Sequence, residues 1–329
     1  MRVLITGGCG FIGHHVVEHF IKKTRWHIIV LDKLTYAASG FDRLRDISCF
    51  DHKRVTLLTS DFTNPISEGV VKEIGSVDYI VHMGAETHVD RSIEDPEPFV
   101  RANVLGTMYM LELARKLPSL KKFVYFSTDE VFGPAPNGTA YKEWDRYNST
   151  NPYSASKAGG EELCLAYSNT YGLPIIVTHT MNVFGERQNG EKFIPLCIRR
   201  ILAGERLFIH ADSLKVRPGS RMWIHARNVA DALLFLLNHQ VTLRDKYNVV
   251  GEREIDNLSM AQIIAGLLEK PLNYELVDFH SSRPGHDLRY ALDGGKMIKI
   301  GWKPPKDFDD SLIKTIEWYL QPENLKWLT

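Results

Sequence analysis

Several features are missing from this 329-residue chain, and each absence narrows what it can be. Neither charge is in surplus: Lys+Arg 40 is matched by Asp+Glu 40, so nucleic acid has no general electrostatic claim on the surface. Any anion has to be held by a local site. The four cysteines, Cys9, Cys49, Cys164 and Cys197, contain no Cys-x-x-Cys pair, which argues against zinc and gives no disulfide framework, so no metal is expected. No apolar stretch approaches the roughly 20 residues that span a bilayer, and no membrane partner is expected. Strand-like Val3-Leu4-Ile5 comes at once, leaving no room for a signal peptide, so a reduced cytoplasmic setting is the expectation. Internal repeats and low-complexity segments are absent too. What remains, 44% hydrophobic and 24% charged, is the composition of a globular enzyme long enough for a large core and one or two domains.

The first half alternates β-branched runs (2–6, 27–32, 55–60, 79–83, 122–127 and 175–180) with amphipathic stretches such as 13–23, 98–116 and 151–171. Strand–helix–strand repetition with buried runs predicts an α/β fold, a Rossmann-type doubly wound parallel sheet. Beyond about residue 185 the elements shorten, Pro and Gly increase, and a charged loop runs from 212 to 221. This divides the chain into a dinucleotide-binding part, 1–185, and a mainly substrate-binding C-terminal lobe, 186–329. A helical pattern at 226–237 and a strand-like one at 247–250 mark a segment, about 222–252, expected to return to the first part.

Gly7-Gly8-Cys9-Gly10-Phe11-Ile12-Gly13 follows the first strand and opens a helix. Gly7 permits the tight turn, Gly10 lets the backbone approach a pyrophosphate, and Gly13 lets helix and sheet pack closely. The helix N-terminus presents free N–H groups to the phosphates. Asp32 ends the second strand, where a carboxylate accepts hydrogen bonds from ribose hydroxyls and repels a 2′-phosphate, favouring NAD over NADP. Lys33 beside it is a cation able to take that phosphate and keeps the alternative open. Asp61 and Phe62 follow the third strand, placed to reach the adenine amino group and to pack on the base.

Thr128-Asp129-Glu130 closes another apolar run, and Tyr153-x-x-x-Lys157 lies on one face of a predicted helix beginning near Asn151-Pro152. Lys157 is expected to lower the phenol's pKa so that Tyr153 acts as a base toward a substrate hydroxyl, and to hold the nicotinamide ribose. Thr128 orients the same oxygen. Oxidising an alcohol needs nothing more, so two extra adjacent carboxyls point to added acid–base work: oxidation of a sugar, expulsion of water, then return of the hydride.

At these residues the chain resembles the extended short-chain dehydrogenases/reductases, and within them the nucleoside-diphosphate-glucose 4,6-dehydratases, especially the dTDP-glucose enzymes. The matching segments are 7–13, 31–36, 85–93, 127–133, 152–158, 191–196 and 283–287. The Thr-Asp-Glu triplet and Arg283-Pro284-Gly285-His286-Asp287 are the specific ones. The resemblance implies NAD as a retained cofactor, with Thr35, Ala85 and Thr87 also beside it. It implies that Tyr153 takes the 4-hydroxyl proton, Glu130 the C5 proton, and that Asp129 protonates the departing 6-hydroxyl. Glu130 must then be ionised and Asp129 protonated, a split attributed to mutual repulsion of neighbouring acids. His88, Thr128, Asn182, Lys192, Arg221, Asn248, Arg283 and His286 fall where the family contacts the sugar nucleotide, with arginines suited to a diphosphate. A homodimer through a four-helix bundle of 98–116 and 151–171 is implied as well.

Departures from the family cluster near the expected nucleotide. Cys9 stands for alanine, Val183 for a second asparagine, and Gly185-Glu186-Arg187-Gln188-Asn189-Gly190 for Gly-Pro-Tyr. The 212–221 loop is longer, and either Arg217 or Arg221 meets the diphosphate, so thymine, uracil or another base remains open. A sugar-nucleotide 4-epimerase or decarboxylase is the rival on the same scaffold, but an epimerase has no use for both acids and a decarboxylase has no leaving hydroxyl to protonate. A non-catalytic NAD-binding protein would not need the Tyr/Lys pair.

Overall fold

The computed structural model describes residues 1–278 and 288–329. Its strands in chain order are β1 (Arg2–Thr6), β2 (His27–Asp32), β3 (Val55–Thr59), β4 (Tyr79–His82), β5 (Lys122–Thr128), β6 (Ile175–Thr180), β7 (Asn182–Phe184), β8 (Leu207–Ala211), β9 (Ser220–His225), β10 (Asp245–Val249), β11 (Glu254–Asp256) and β12 (Tyr274–Asp278). Seven form one sheet in the order β10-β6-β5-β4-β1-β2-β3, every neighbouring pair parallel. The expected α/β doubly wound fold is therefore present, extended by β10 beside β6. Alternation along β1 sends Val3 and Ile5 into one apolar layer and Leu4 into the other. A sheet buried on both faces reads as continuous apolar runs, which is why the strands were visible in the sequence.

Strand order reverses between β1 and β4, so the connections leaving their C-terminal ends diverge and open a crevice. Gly7, Gly84 and Gly133 follow β1, β4 and β5 along that rim, and Asp32 ends β2. The smaller second lobe carries a three-stranded sheet, β11-β9-β7, and a two-stranded parallel one, β12-β8. It has its own core around Phe184, Ile198, Trp223, Met260 and Leu312.

Two helical stretches border the site. Pro152–Tyr171 begins with a reciprocal capping box between Asn151 and Ser154, has proline in its first turn, and ends at Gly172 with φ of 72°. Its buried positions Tyr153, Lys157, Glu161, Cys164 and Ser168 recur at helical spacing, so one face turns inward although much of it is polar. The second stretch, expected as one α-helix over 98–116, is α-helical at Glu97–Val100 and Thr107–Arg115 but π-wound at Arg101–Gly106. Within that wider turn the Asn103 side chain bridges the backbone of Glu86 and the Ser156 hydroxyl. Hydrophobic periodicity does not distinguish a π turn from an α turn over six residues.

Candidate active site

The rim encloses a cavity of about 330 Å³. At one end the glycines act through steric necessity. A Cβ on Gly7, whose φ is 71°, would lie 2.9 Å from Gly84 Cα; one on Gly13 would lie 2.1 Å from the Gly7 carbonyl oxygen. No side chain fits, so the β1 turn and the first turn of the Phe11–Lys23 helix stay open to a phosphate-sized group. Gly7, Gly10, Phe11, Ile12, Gly13, Asp32, Lys33, Thr35, Phe62, Ala85 and Thr87 all line the cavity. Asp32 accepts from the backbone N–H of Cys9 at 3.0 Å and of Leu34 at 2.9 Å, so it first fixes the glycine turn. Lys33 is paired with Glu86 at 3.5 Å, and that carboxylate makes the corner a poor place for a 2′-phosphate. A glycine cradle with a carboxylate at the ribose position fits NAD.

Asp61 departs from the expectation. It is exposed, its carboxylate accepts from Thr63 N–H at 2.9 Å, and it does not line the cavity, whereas the adjacent Phe62 does. A turn-capping bond available within two residues outcompetes a reach toward the base.

At the other end, Thr128, Tyr153 and Lys157 line the cavity together. Lys157 donates to the Phe126 carbonyl at 2.7 Å and lies over the Tyr125 ring. Burial pulls its pKa down to about 8, against the opposing pull of Glu161. Tyr153 does not have the lowered pKa expected from Lys157. Burial first, and then the Glu130 charge, push the phenol up, while a hydrogen bond with Thr128 pulls the other way.

The two acids sit in different surroundings. Thr128 caps the short 3-10 turn Asp129–Phe132 by accepting from Glu130 N–H. That turn drives Asp129 inward, 4% exposed, with Oδ1 accepting from the Thr128 hydroxyl at 3.1 Å and Oδ2 buried without a hydrogen-bond partner. Burial raises its pKa to about 6, and Arg221 is the main opposing charge. Glu130 is half-buried and accepts from Asn151 Nδ2 at 3.3 Å. The cause of the Asp129 shift is thus chiefly desolvation, where mutual repulsion was expected.

Among the other expected contacts, Asn182 and Lys192 line the cavity. His88 stands just beyond its lining, 3.9 Å from Glu191, with burial lowering its pKa. Arg221 is half-buried over the Tyr290 ring and acts on Asp129, whereas Arg217 is on the exposed loop; neither lines the cavity. Asn248 does not face the cavity. It is fully buried, donating to the carbonyls of Tyr141 and Asp293 and facing His179 Nδ1 at 2.9 Å, because those segments pack over the edge strand β10 on that side. Arg283 and His286 lie outside the described residues.

The 185–190 departure also has another meaning than a changed base. Glu186 is buried against His225, 3.3 Å away, and Arg227; Arg187 pairs with Asp46 and lies over Trp318. Both face away from the cavity, while Gln188 and Asn189 line it. Sequence reasoning missed these two, Tyr36, Glu191 and Gly84. For Gly84 a signal existed: a small residue two positions after β4, where an added Cβ would be 2.4 Å from the Phe62 ring.

Comparison with known proteins agrees with this geometry. The GDP-mannose 4,6 dehydratase family matches residues 4–315. The chain is 38% identical to the dTDP-glucose 4,6-dehydratase of Salmonella typhimurium, covering 100% of this chain and 94% of that one. It is 39% identical to the Neisseria gonorrhoeae protein of the same description, over 97% and 95% respectively. The crystal structure of DesIV, a dTDP-glucose 4,6-dehydratase from Streptomyces venezuelae with NAD and TYD bound, superposes with a TM-score of 0.87 at 34% identity, covering 99% of this chain and 98% of that one.

Proposed function

Since this chain belongs to the dTDP-glucose 4,6-dehydratase family of extended short-chain dehydrogenases/reductases, we propose that it converts dTDP-glucose to dTDP-4-keto-6-deoxyglucose as an NAD-dependent hydro-lyase. One observation carries the reading: a buried carboxyl with an unpartnered oxygen, Asp129, stands next to the half-buried Glu130 at the strand end bearing Thr128. An epimerase has no task for that pair.

NAD, when bound, accepts a hydride from C4 of the sugar and supplies it to C6 at the end of the cycle. Gly7, Gly10, Gly13, Asp32 and Phe62 would hold it. Tyr153 takes the 4-hydroxyl proton while Thr128 orients that oxygen. Burial and Glu130 keep the resting phenol neutral, so its use as a base would need added positive charge nearby, which oxidised NAD would supply. Once C4 is a ketone the C5 proton is acidic, and Glu130 removes it. Asp129, whose proton burial holds more tightly than usual with a pKa of about 6, gives that proton to the departing 6-hydroxyl and water leaves. Glu130 then returns a proton to C5, and the site is restored once Tyr153 gives up the 4-hydroxyl proton and Asp129 regains one, an exchange through solvent that is neutral overall. Thr87, Asn182, Lys192 and Arg221, with His88 at the margin, form the sugar-nucleotide side.

The assignment of 1–185 with 222–252 to the cofactor and the remainder to the sugar nucleotide belongs to this reading. So does a homodimer through the 97–115 and 152–171 helices, supported by exposed Val100 and Tyr171 on them; sedimentation as a monomer at micromolar concentration would reject it. Cytoplasmic residence is supported by four free, buried cysteines. Among the described residues no helix is long and apolar enough to cross a membrane. The deciding experiment is incubation with dTDP-, UDP-, GDP- and CDP-hexoses followed by mass spectrometry. Loss of one water from dTDP-glucose supports the proposal; an isomer of unchanged mass would convert it to an epimerase.

A further inference from the structure

Behind the cavity lies a second set of buried polar groups that the reaction as described does not use. Glu161, fully buried, follows Lys157 by one helical turn on the inward face of the Pro152–Tyr171 helix. Its Oε1 accepts from the Ser127 hydroxyl and its Oε2 from the Tyr147 hydroxyl. His179 Nε2 is 3.1 Å and Lys246 Nζ 3.7 Å from the same Oε2. Asn248 gives its N–H groups to two carbonyls, so its oxygen is the atom facing His179 Nδ1. Both ring nitrogens therefore face oxygen atoms. One buried carboxylate thus holds together groups from β5, β6, β10 and the loop carrying Tyr147.

A buried ionic cluster is weak evidence for stability, because desolvation consumes most of the attraction. What it grips is more informative. The end of β5 is held twice by one helix: Lys157 donates to the Phe126 carbonyl at 2.7 Å, and Glu161 accepts from Ser127, the residue before Thr128. We propose that Glu161 is a positioning residue for the dehydratase reaction, fixing the Thr128 strand end and the Lys157 ammonium relative to one another. The inference rests on the functional reading above.

The charge of Glu161 also acts on Lys157. Around the ammonium stand Tyr153, Glu161 and Cys164 on its own helix, Tyr125 on β5 and His82 on β4, which burial holds neutral with a pKa of about 3. Around Glu161 stand His179, Lys246, Tyr147 and Ser127, and its carboxyl remains below the usual range because, against the cost of burial, His179 and Lys246 favour its ionised form. Burial lowers Lys157 to about 8, and Glu161 is the foremost group opposing that fall. Removing its charge lowers Lys157 further, so the ammonium is lost at a lower pH.

The test uses the NAD-loaded full chain, with kcat and KM for dTDP-glucose measured across pH. Water loss by the parent enzyme is established first, and its absence would overturn the underlying reading before any variant is examined. In Glu161→Gln the alkaline limb of kcat should move about one pH unit toward acid, giving roughly fivefold lower turnover at pH 8, with KM little changed. Glu161→Asp should return the limb to its parental position. Ser127→Ala keeps every charge and should lower kcat about tenfold at all pH values without moving the limb. An unmoved limb in Glu161→Gln overturns the proposal. If that variant does not fold, Ser127→Ala decides, and turnover within twofold of the parent overturns it.

Discussion

At the cofactor end of the cavity the important residues arrive in short consecutive stretches, each at or just after the end of a parallel strand: Gly7 to Gly13 after β1, Asp32 closing β2, Gly84 after β4. At the other end Asn182 and Lys192 come from separate segments, and the two acids, on one short turn after Thr128, stand just outside the cavity lining with Arg221 near Asp129. The first end is constrained by backbone sterics, where a single added carbon meets main-chain atoms. The second is constrained by solvation, because neighbouring carboxyls acquire different properties from how far each is driven into the interior. Errors at the two ends should therefore fail differently, one by losing the cofactor and the other by stalling the chemistry.

The sharpest contrast comes from Glu130→Gln. It should reduce water loss by roughly 10³-fold, as expected for loss of a proton-transfer group, while leaving slow reduction of the bound nicotinamide measurable by its absorbance in a single turnover. Full turnover would remove Glu130 as the C5 base and erase the contrast. Next, Gly13→Ala places a carbon 2.1 Å from the Gly7 carbonyl and 2.7 Å from Gly8 Cα. It should cost about 1–3 kcal/mol in stability and release NAD during purification, read as the cofactor content of the pure protein.

Asp129→Asn tests the solvation side through stability. The carboxyl titrates at about 6 in the folded chain against an ordinary value of 3.8, so the folded state binds its proton more tightly. That contribution is complete below 3.8 and disappears as pH rises through about 6, leaving a buried charge above. The Asn variant should thus gain on the parent with rising pH, by up to about 3 kcal/mol in all, of which about 1.4 kcal/mol falls between paired denaturant melts at pH 5 and pH 8. A pH-independent difference would mean that burial does not set the Asp129 state. The smallest effect is reserved for Asp61→Ala, which should change NAD affinity less than about twofold, because the side chain only caps its own turn. A large loss by calorimetry would return Asp61 to the cofactor site.

Much of the fold was legible because buried parallel strands are written as apolar runs, and Asn151-Pro152 gave the Pro152–Tyr171 helix a readable start. The Tyr153/Lys157 pair and the glycine turn were legible for the same local reason: their partners are within a few residues or at a strand end. Asn248 was misread because nothing near it in the chain reveals that Tyr141, His179 and Asp293 surround it. Glu186 was misread as a change at the nucleotide, since its partners His225 and Arg227 lie some forty residues away.

By itself, then, the sequence determined the α/β scaffold, the glycine cradle, the redox trio and the presence of two adjoining acids, all properties encoded by spacing within one strand–turn–helix unit. Which acid is buried, which arginine faces it and which carboxylate holds the lysine were decided only in three dimensions. Those properties depend on desolvation and on charges brought together from distant strands, and neither quantity exists until the chain has folded.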